Sequence, residues 1–183
     1  MNEQELIQLC KKRNKIGQKM LYGKYAPVLK GICVRYLKNK EDVNDALQDA
    51  FIEIFKSIDG YKGLGSLEGW MKRIMITNCI DLLRKRKRNQ LESLDEQDDI
   101  SSNSELDEKE YLKLLDLPNY QELLLDALNQ LPEILTQVFN LYYIDDMSHK
   151  EIAVMLDINE VTSRTRLDRA RKLVKNELAK LLY

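Results

Sequence analysis

Residues 148–175 read SHKEIAVMLDINEVTSRTRLDRARKLVK. Ser148, followed three residues later by Glu151, is a capping box, so a helix starts at His149. Its apolar residues run only from Ile152 to Leu156, about two turns. Asp157, Ile158 and Asn159 make a three-residue turn, and Asn159 is a favoured N-cap for the next helix. On that helix Ser163, Leu167, Ala170, Val174, Leu178 and Leu181 share one face. A short helix, a tight turn and a longer basic helix form the pattern of a helix-turn-helix. Ala153 is small where two helices must cross, and Ile152, Leu156, Ile158 and Leu167 can fill the shared core.

In such a motif the N-terminal end of the second helix enters the major groove of DNA. The candidates there are Asn159, Glu160, Thr162, Ser163, Arg164 and Arg166, and an Arg can bind a guanine edge with two hydrogen bonds. Arg169, Arg171 and Lys172 suit phosphates. A helical hairpin with a solvated charged face is the competing reading of the same pattern. His149, the chain's one histidine, sits in the capping box and is expected on the surface.

Upstream, QELLLDALNQL is one helix, and PEILTQVFNLYYI is another, with Pro132 in its first turn and Leu135, Val138, Phe139 and Tyr142 inward. Before them lies an acidic stretch, QLESLDEQDDISSNSELDEKEYLKLLDLP (90–118), polar and Ser-containing. Its first half is too poor in apolar residues to pack, so it reads as a flexible linker, with a short helix expected over 105–116. The linker divides the chain into a domain at 1–89 and a second at 119–183.

Charge is segregated in the same way. Residues 1–89 carry 19 basic and 10 acidic side chains, residues 90–146 carry 2 and 15, and residues 147–183 carry 8 and 5. Two basic ends flanking an acidic middle suggest a polyanionic partner for the ends, against the alternative of a merely solvated surface.

The first domain also reads as helices. In GQKMLYGKYAPVLKGICVRYLKNK, Leu29, Ile32, Cys33 and Tyr36 have helical spacing, and Pro27 marks a helix start or a kink. In EDVNDALQDAFIEIFKSI, Val43, Leu47, Ala50, Ile54 and Ile58 form an inward stripe. Asp42, Asp45, Asp49 and Glu53 form an acidic stripe elsewhere on that helix, either a docking face for a protein or a soluble surface. Gly60, Gly63, Gly65 and Gly69 make the next segment a loop, with Ser66 as an N-cap. The helix after it places Met71, Ile74, Met75, Asn78 and Leu82 on one face and ends in the basic run 84–88. Tyr61 and Trp70 stand among Lys62, Lys72 and Arg73, a mixture that suits a single strand because bases stack on rings. A core role for Trp70 is the alternative.

Other classes find no support. No phosphate-cradling G-x-x-x-x-G-K-S/T loop, G-x-S-x-G elbow or H-E-x-x-H pair occurs, so neither enzyme chemistry, a cofactor nor a bound metal is expected. No apolar run reaches the roughly 18 residues of a membrane span. No secretory leader is visible, and Cys10, Cys33 and Cys79 form neither a disulfide framework nor a zinc pattern. A cytoplasmic protein without membrane insertion is expected.

Taken in order, these segments resemble a bacterial RNA polymerase sigma factor of the extracytoplasmic-function (ECF) group. Asp42, Asp45, Gln48, Asp49, Phe51 and Phe55 match region 2.2, whose usual form is D-x-x-D-x-x-Q-D/E-x-F-x-x-x-F/W. Trp70, Asn78, Asp81 and Arg84 match regions 2.3 and 2.4, and residues 151–171 look like region 4.2. The resemblance implies an all-α chain that binds core RNA polymerase and directs it to promoter DNA. It implies docking through Asp42, Asp45, Gln48, Asp49 and Phe55. It implies melting and reading of the −10 element through Tyr61, Lys62, Ser66, Trp70, Lys72, Arg73, Asn78 and Arg84. The −35 element falls to the helix-turn-helix residues 159–169 named above. Many members of the group are held by an anti-sigma partner. Three positions depart from the usual pattern: Asp157 and Val161 where Gly is frequent, and Ser163 where the residue is usually apolar. A helical regulator binding DNA without polymerase, and a sigma-like protein that binds partners without melting DNA, are the alternatives.

Overall fold

A computed structural model describes residues 2–89 and 119–182. Every described element is helical, and they fall into two compact units, Met1–Gln90 and Leu91–Tyr183. The linker and the short helix expected between 90 and 118 lie outside the described residues.

The first unit holds α1 (Glu3–Lys11), α2 (Lys15–Tyr36), α3 (Lys40–Ser57), a 3-10 turn (Ile58–Gly60) and α4 (Leu67–Asn89). Asparagine starts three of these helices. Asn2 makes a capping box with Glu5, Asn14 accepts from the amides of Ile16 and Gly17, and Asn39 accepts from that of Glu41. Each side chain satisfies donors that the first turn cannot pair internally. The stripe expected on α3 is buried from Val43 to Ile54 and continues into Ile58. α3 packs against α2, where Leu21, Leu29 and Cys33 are fully buried, and against α4, where Leu67, Met71, Met75 and Cys79 are.

Two expectations about this unit are corrected. Pro27 does not start a helix: α2 runs through it. Pro27 is exposed, so the Gly23 carbonyl that loses its partner there faces water, while buried Tyr25, Leu29 and Ile32 hold the helix on its other side. On α4 the seam is Leu67, Met71, Met75, Ile76, Cys79, Ile80 and Leu83, whereas Ile74, Asn78 and Leu82 are half-buried at its edge. The helix packs against both α2 and α3, so its buried arc is set by two neighbours and not by one stripe.

The second unit holds α5 (Tyr120–Gln130), α6 (Glu133–Phe139), a π turn (Asn140–Ile144), α7 (His149–Leu156) and α8 (Glu160–Leu182). Its core gathers Ala127, Leu128, Leu131, Leu135, Phe139, Ala170, Val174 and Leu178. Pro132 is the N-cap residue of α6, one position before the first turn. The helix expected from 132 to 144 runs from Glu133 to Ile144 but changes type along its length. It widens after Phe139, where the amide of Asp145 reaches back five residues to the Asn140 carbonyl at 2.9 Å. The widening buries both Asn140 and Leu141 while leaving Tyr142 half-buried.

Candidate polymerase and nucleic-acid interfaces

The acidic stripe of α3 divides into two kinds of residue. Asp45, Gln48 and Asp49 are exposed. Asp42 is different: its side chain is only 15% exposed and forms an ion pair with Arg86 of α4. Asp42 therefore ties two helices of the unit together, and the outward acidic face begins one turn later than expected. Phe55 is half-buried at the end of a row of rings, 5.9 Å from Phe51, which itself lies 4.5 Å from Tyr22.

The loop after the 3-10 turn is built by its own contacts. The Tyr61 hydroxyl donates to the Gly65 carbonyl at 2.8 Å, and its ring packs on Trp70 at 5.2 Å. Gly63 and Gly65 have φ of 74° and 95°, a region that side chains rarely enter. Ser66 caps α4 by accepting from the Gly69 amide at 3.0 Å. Lys62 and Arg73 are exposed, and Lys72 is paired with Glu68 at 2.7 Å. Asn78 donates to the Ile74 carbonyl of its own helix, and Arg84 pairs with Asp81 at 3.1 Å. Trp70 is half-buried, so it serves as a packing ring and still presents an edge.

Two residues without any signal in the local sequence hold this loop. Lys11 donates to the Tyr61 carbonyl at 3.1 Å. Arg13, itself at φ 56°, bonds the Phe55 carbonyl with one arm and Asp59 with the other at 2.7 Å. Their partners lie 42 to 50 residues away, so no short-range pattern could name them.

In the second unit the capping box at Ser148 is complete. Asp157 adopts the left-handed conformation, φ 55° and ψ 50°, at the position where a glycine is frequent. Asn159 accepts from the Thr162 amide at 2.7 Å. Around this start of α8, Asn159, Glu160 and Arg164 are exposed, and Thr162, Arg166 and Arg169 are half-buried. Val161, not among the expected contacts, is 71% exposed between them. Arg164 and Glu160 approach to 3.7 Å at exposed positions, a pair too weak to fix the guanidinium.

Ser163 is corrected. It is fully buried, and its Oγ meets His149 Nδ1 at 2.9 Å, so it cannot face DNA. The serine replaces an apolar contact with a polar one between the two helices. His149 is corrected with it. The ring is half-buried, stacked on Tyr142 with centroids 4.8 Å apart. Burial, and secondarily the Arg164 charge, holds its pKa below the ordinary histidine value.

Known proteins match in the same order. Residues 21–89 fit the family model described as Sigma-70 region 2, and residues 121–174 fit Sigma-70, region 4, together about two thirds of the chain. The chain belongs to the sigma-70 family. Within it, the chain is similar to the ECF RNA polymerase sigma-E factor of Haemophilus influenzae, 24% identical over 190 residues that span all of this chain and 98% of that protein. The sigma-E factor of Escherichia coli strain K12 is also 24% identical, over 188 residues spanning all of this chain and 97% of that protein. Among solved structures, the sigma factor RpoE of Bartonella quintana, in complex with the anti-sigma factor NepR, aligns with a TM-score of 0.54 and 19% identity. The match covers 88% of this chain and 96% of that one, and it shows the shared fold.

The protein is thus an ECF-type sigma factor, which joins RNA polymerase and directs transcription initiation at specific promoters. Sigma factors are initiation factors and not an enzyme family. Among the described residues no helix is long and apolar enough to cross a membrane, and no cluster of three or more metal-binding side chains occurs.

Proposed function

We propose that this sigma factor divides its work between its two units. Asp45, Gln48 and Asp49 dock on core polymerase, with Phe55 and its ring row behind them. The loop and the first turns of α4, through Tyr61, Lys62, Ser66, Trp70, Lys72 and Arg73, engage the −10 element, with Asn78 and Arg84 further along the helix. The start of α8 reads the −35 element in duplex, through Asn159, Glu160, Thr162, Arg164 and Arg166, with Arg169 on phosphate. Residues 1–89 and 119–183 act as the two promoter-binding domains and 90–118 as the linker between them. The sigma factor works in the cytoplasm, catalyses no reaction of its own, and binds an anti-sigma protein, as the Bartonella sigma factor does in its complex with NepR.

One observation carries this reading. The helix-turn-helix buries Ile152, Ala153, Leu167 and Ala170 and leaves Arg164 exposed near the start of its second helix with only a weak local partner. A bidentate arginine–guanine contact is worth about 1–3 kcal/mol of discrimination. Run-off transcription with purified core polymerase and a genomic promoter library tests the assignment. Protein-dependent start sites sharing two elements are expected. Arg164→Ala should lower initiation at −35-dependent promoters by about 5- to 150-fold while core binding stays unchanged. Equal promoter binding by the variant would count against it.

A further inference from the structure

The outward side of α8 carries an apolar side chain that its unit leaves in solvent. Val161, the second residue of the helix, is 71% exposed. It stands two residues before Ser163, and Thr165 stands two residues after it; Ser163 itself is fully buried on the seam. Two residues turn a helix by about 200°, so Val161 and Thr165 both lie on the side away from the core. Thr165 is exposed, and its hydroxyl donates to the Val161 carbonyl at 3.0 Å. That bond engages the hydroxyl within the helix and leaves the Thr165 methyl group free for a contact. Two β-branched side chains, one turn apart, thus form a short apolar strip. It ends at Asp168 and Lys172, which follow on the same side and pair with each other at 3.2 Å.

The helix itself gives no reason for this strip. Valine is a weak helix former, and at an exposed position burial does not repay the choice. The neighbours are polar: Glu160 and Arg164 are exposed beside it, and Asn159 caps the helix start. An apolar point among hydrogen-bonding groups suits a ligand that presents both kinds of surface on one face. The floor of the major groove is such a ligand. Its base edges offer donors and acceptors throughout, and a methyl group only at thymine C5.

We propose that Val161 reads a thymine of the −35 element by packing on its C5 methyl group, with the Thr165 methyl group extending the contact. The proposal rests on the −35 role given to the start of α8, and adds to it a determinant that makes no hydrogen bond. Val161 occupies one of the positions where Gly is frequent in the family pattern. A glycine has no side chain for this contact, so the preference separates this chain from members that carry Gly there.

The test uses the full-length protein with core polymerase on a promoter found by run-off transcription. Each thymine of the −35 element, on either strand, is replaced in turn by deoxyuridine, which keeps every hydrogen-bonding group and removes only the methyl group. With wild type, one replacement should lower initiation at subsaturating holoenzyme by about 4-fold, the worth of one methyl group withdrawn from water. Val161→Ala should lower initiation on the thymine template by a similar factor, and should respond to the same replacement by less than about twofold, because the two losses remove one contact. Val161→Ile keeps the branch and should keep the preference for thymine. The side chain is exposed, so Val161→Ala should match wild type in thermal stability and core affinity, and a fall in core affinity would make Val161 a protein contact and overturn the proposal. If no thymine shows a methyl effect with wild type, or if Val161→Ala responds to deoxyuridine as wild type does, the methyl reading is wrong. Impairment of Arg164→Ala in that case leaves the −35 role of α8 standing. If Arg164→Ala also initiates normally, α8 is not the −35 reader and both readings fall.

Discussion

Replacing Gly17 with alanine separates two effects that usually travel together. A glycine within a helix costs about 0.5–1 kcal/mol relative to alanine, so propensity alone predicts a more stable variant. Packing predicts the reverse. A Cβ on Gly17 would sit 2.5 Å from the Leu9 Cβ, 3.3 Å from the Leu9 carbonyl carbon and 3.4 Å from the Cys10 nitrogen. The first is about 1 Å inside the normal carbon–carbon contact, and the other two are backbone atoms, which cannot swing aside. Overpacking of this kind costs about 1–3 kcal/mol. The propensity gain is smallest here, because Gly17 is only the third residue of α2. Packing therefore wins, by about 1–2 kcal/mol.

Gly23 and Gly31 lie on the same helix, and a methyl group added at either would meet nothing within 4 Å. Their alanine variants should each gain about 0.5–1 kcal/mol. Trp70 is the chain's single tryptophan and belongs to the first unit, so its fluorescence follows that unit's unfolding in the full chain. For a unit of this size each kcal/mol moves the midpoint by about 4–8 °C. Gly17→Ala should fall by roughly 4–16 °C, and Gly23→Ala and Gly31→Ala should rise by about 2–8 °C. A Gly17→Ala variant as stable as Gly23→Ala would show that α1 yields freely, and would refute the close crossing. The same looseness would weaken the Lys11 and Arg13 brace on the loop.

The site geometry sets three further outcomes. His149 has a depressed folded pKa, so the unfolded chain binds its proton more readily. The second unit should be steady above the ordinary histidine pKa of about 6.5 and lose stability as the pH falls below it. Circular dichroism melts should show that loss in wild type and not in His149→Gln, and a pH-independent wild type would refute it. Asp157→Gly should stabilise the second unit by up to about 1 kcal/mol by relieving a left-handed aspartate, and Asn159→Ala should destabilise it by about 1 kcal/mol through loss of the cap. Both are read from chemical denaturation midpoints, and an Asp157→Gly variant weaker than wild type would contradict the first. Asp42→Asn should lower the stability of the first unit, whereas Asp45→Asn should leave stability alone and weaken core polymerase binding. Equal behaviour of the two in both assays would erase the division of the acidic face.

Local signals are readable where the physics is local. Ser148 and Glu151, Asn159 and Ser66 announce helix starts because a cap needs only the next few residues. The stripe of α3 and the seam of α8 are visible because each faces one core. Pro27 leaves a helix start and an uninterrupted helix open, because its cost depends on whether the freed carbonyl is wet, which is a tertiary fact. The π turn at Asn140 is hidden for a similar reason: nothing in NLYYI departs from a helical pattern, and the widening is set by what Asn140 and Leu141 pack into. Ser163 stands both on the seam of α8 and among the expected DNA contacts, and its burial against a histidine 14 residues earlier decides for the seam. Polarity alone cannot tell a base contact from an internal bond.

The acidic stripe and the basic run bear on each other in a way neither shows alone. Read separately, Asp42 belongs to a docking face and Arg86 to a cationic tail. Paired, they mark the place where the charge of α3 and the charge of α4 cancel inside the unit. Asp42 is largely covered and Arg86 is 39% exposed, so removing either leaves a partly desolvated partner, which costs more than losing a surface pair. That asymmetry assigns the roles. A charge that the fold already uses to join two helices is poorly suited to a partner that must come and go, and a fully solvated one is well suited to it. Asp45, Gln48 and Asp49 are solvated, on the exposed side of a helix whose opposite side is core. We therefore propose a docking surface narrower than the acidic stripe, starting where the internal pairing stops.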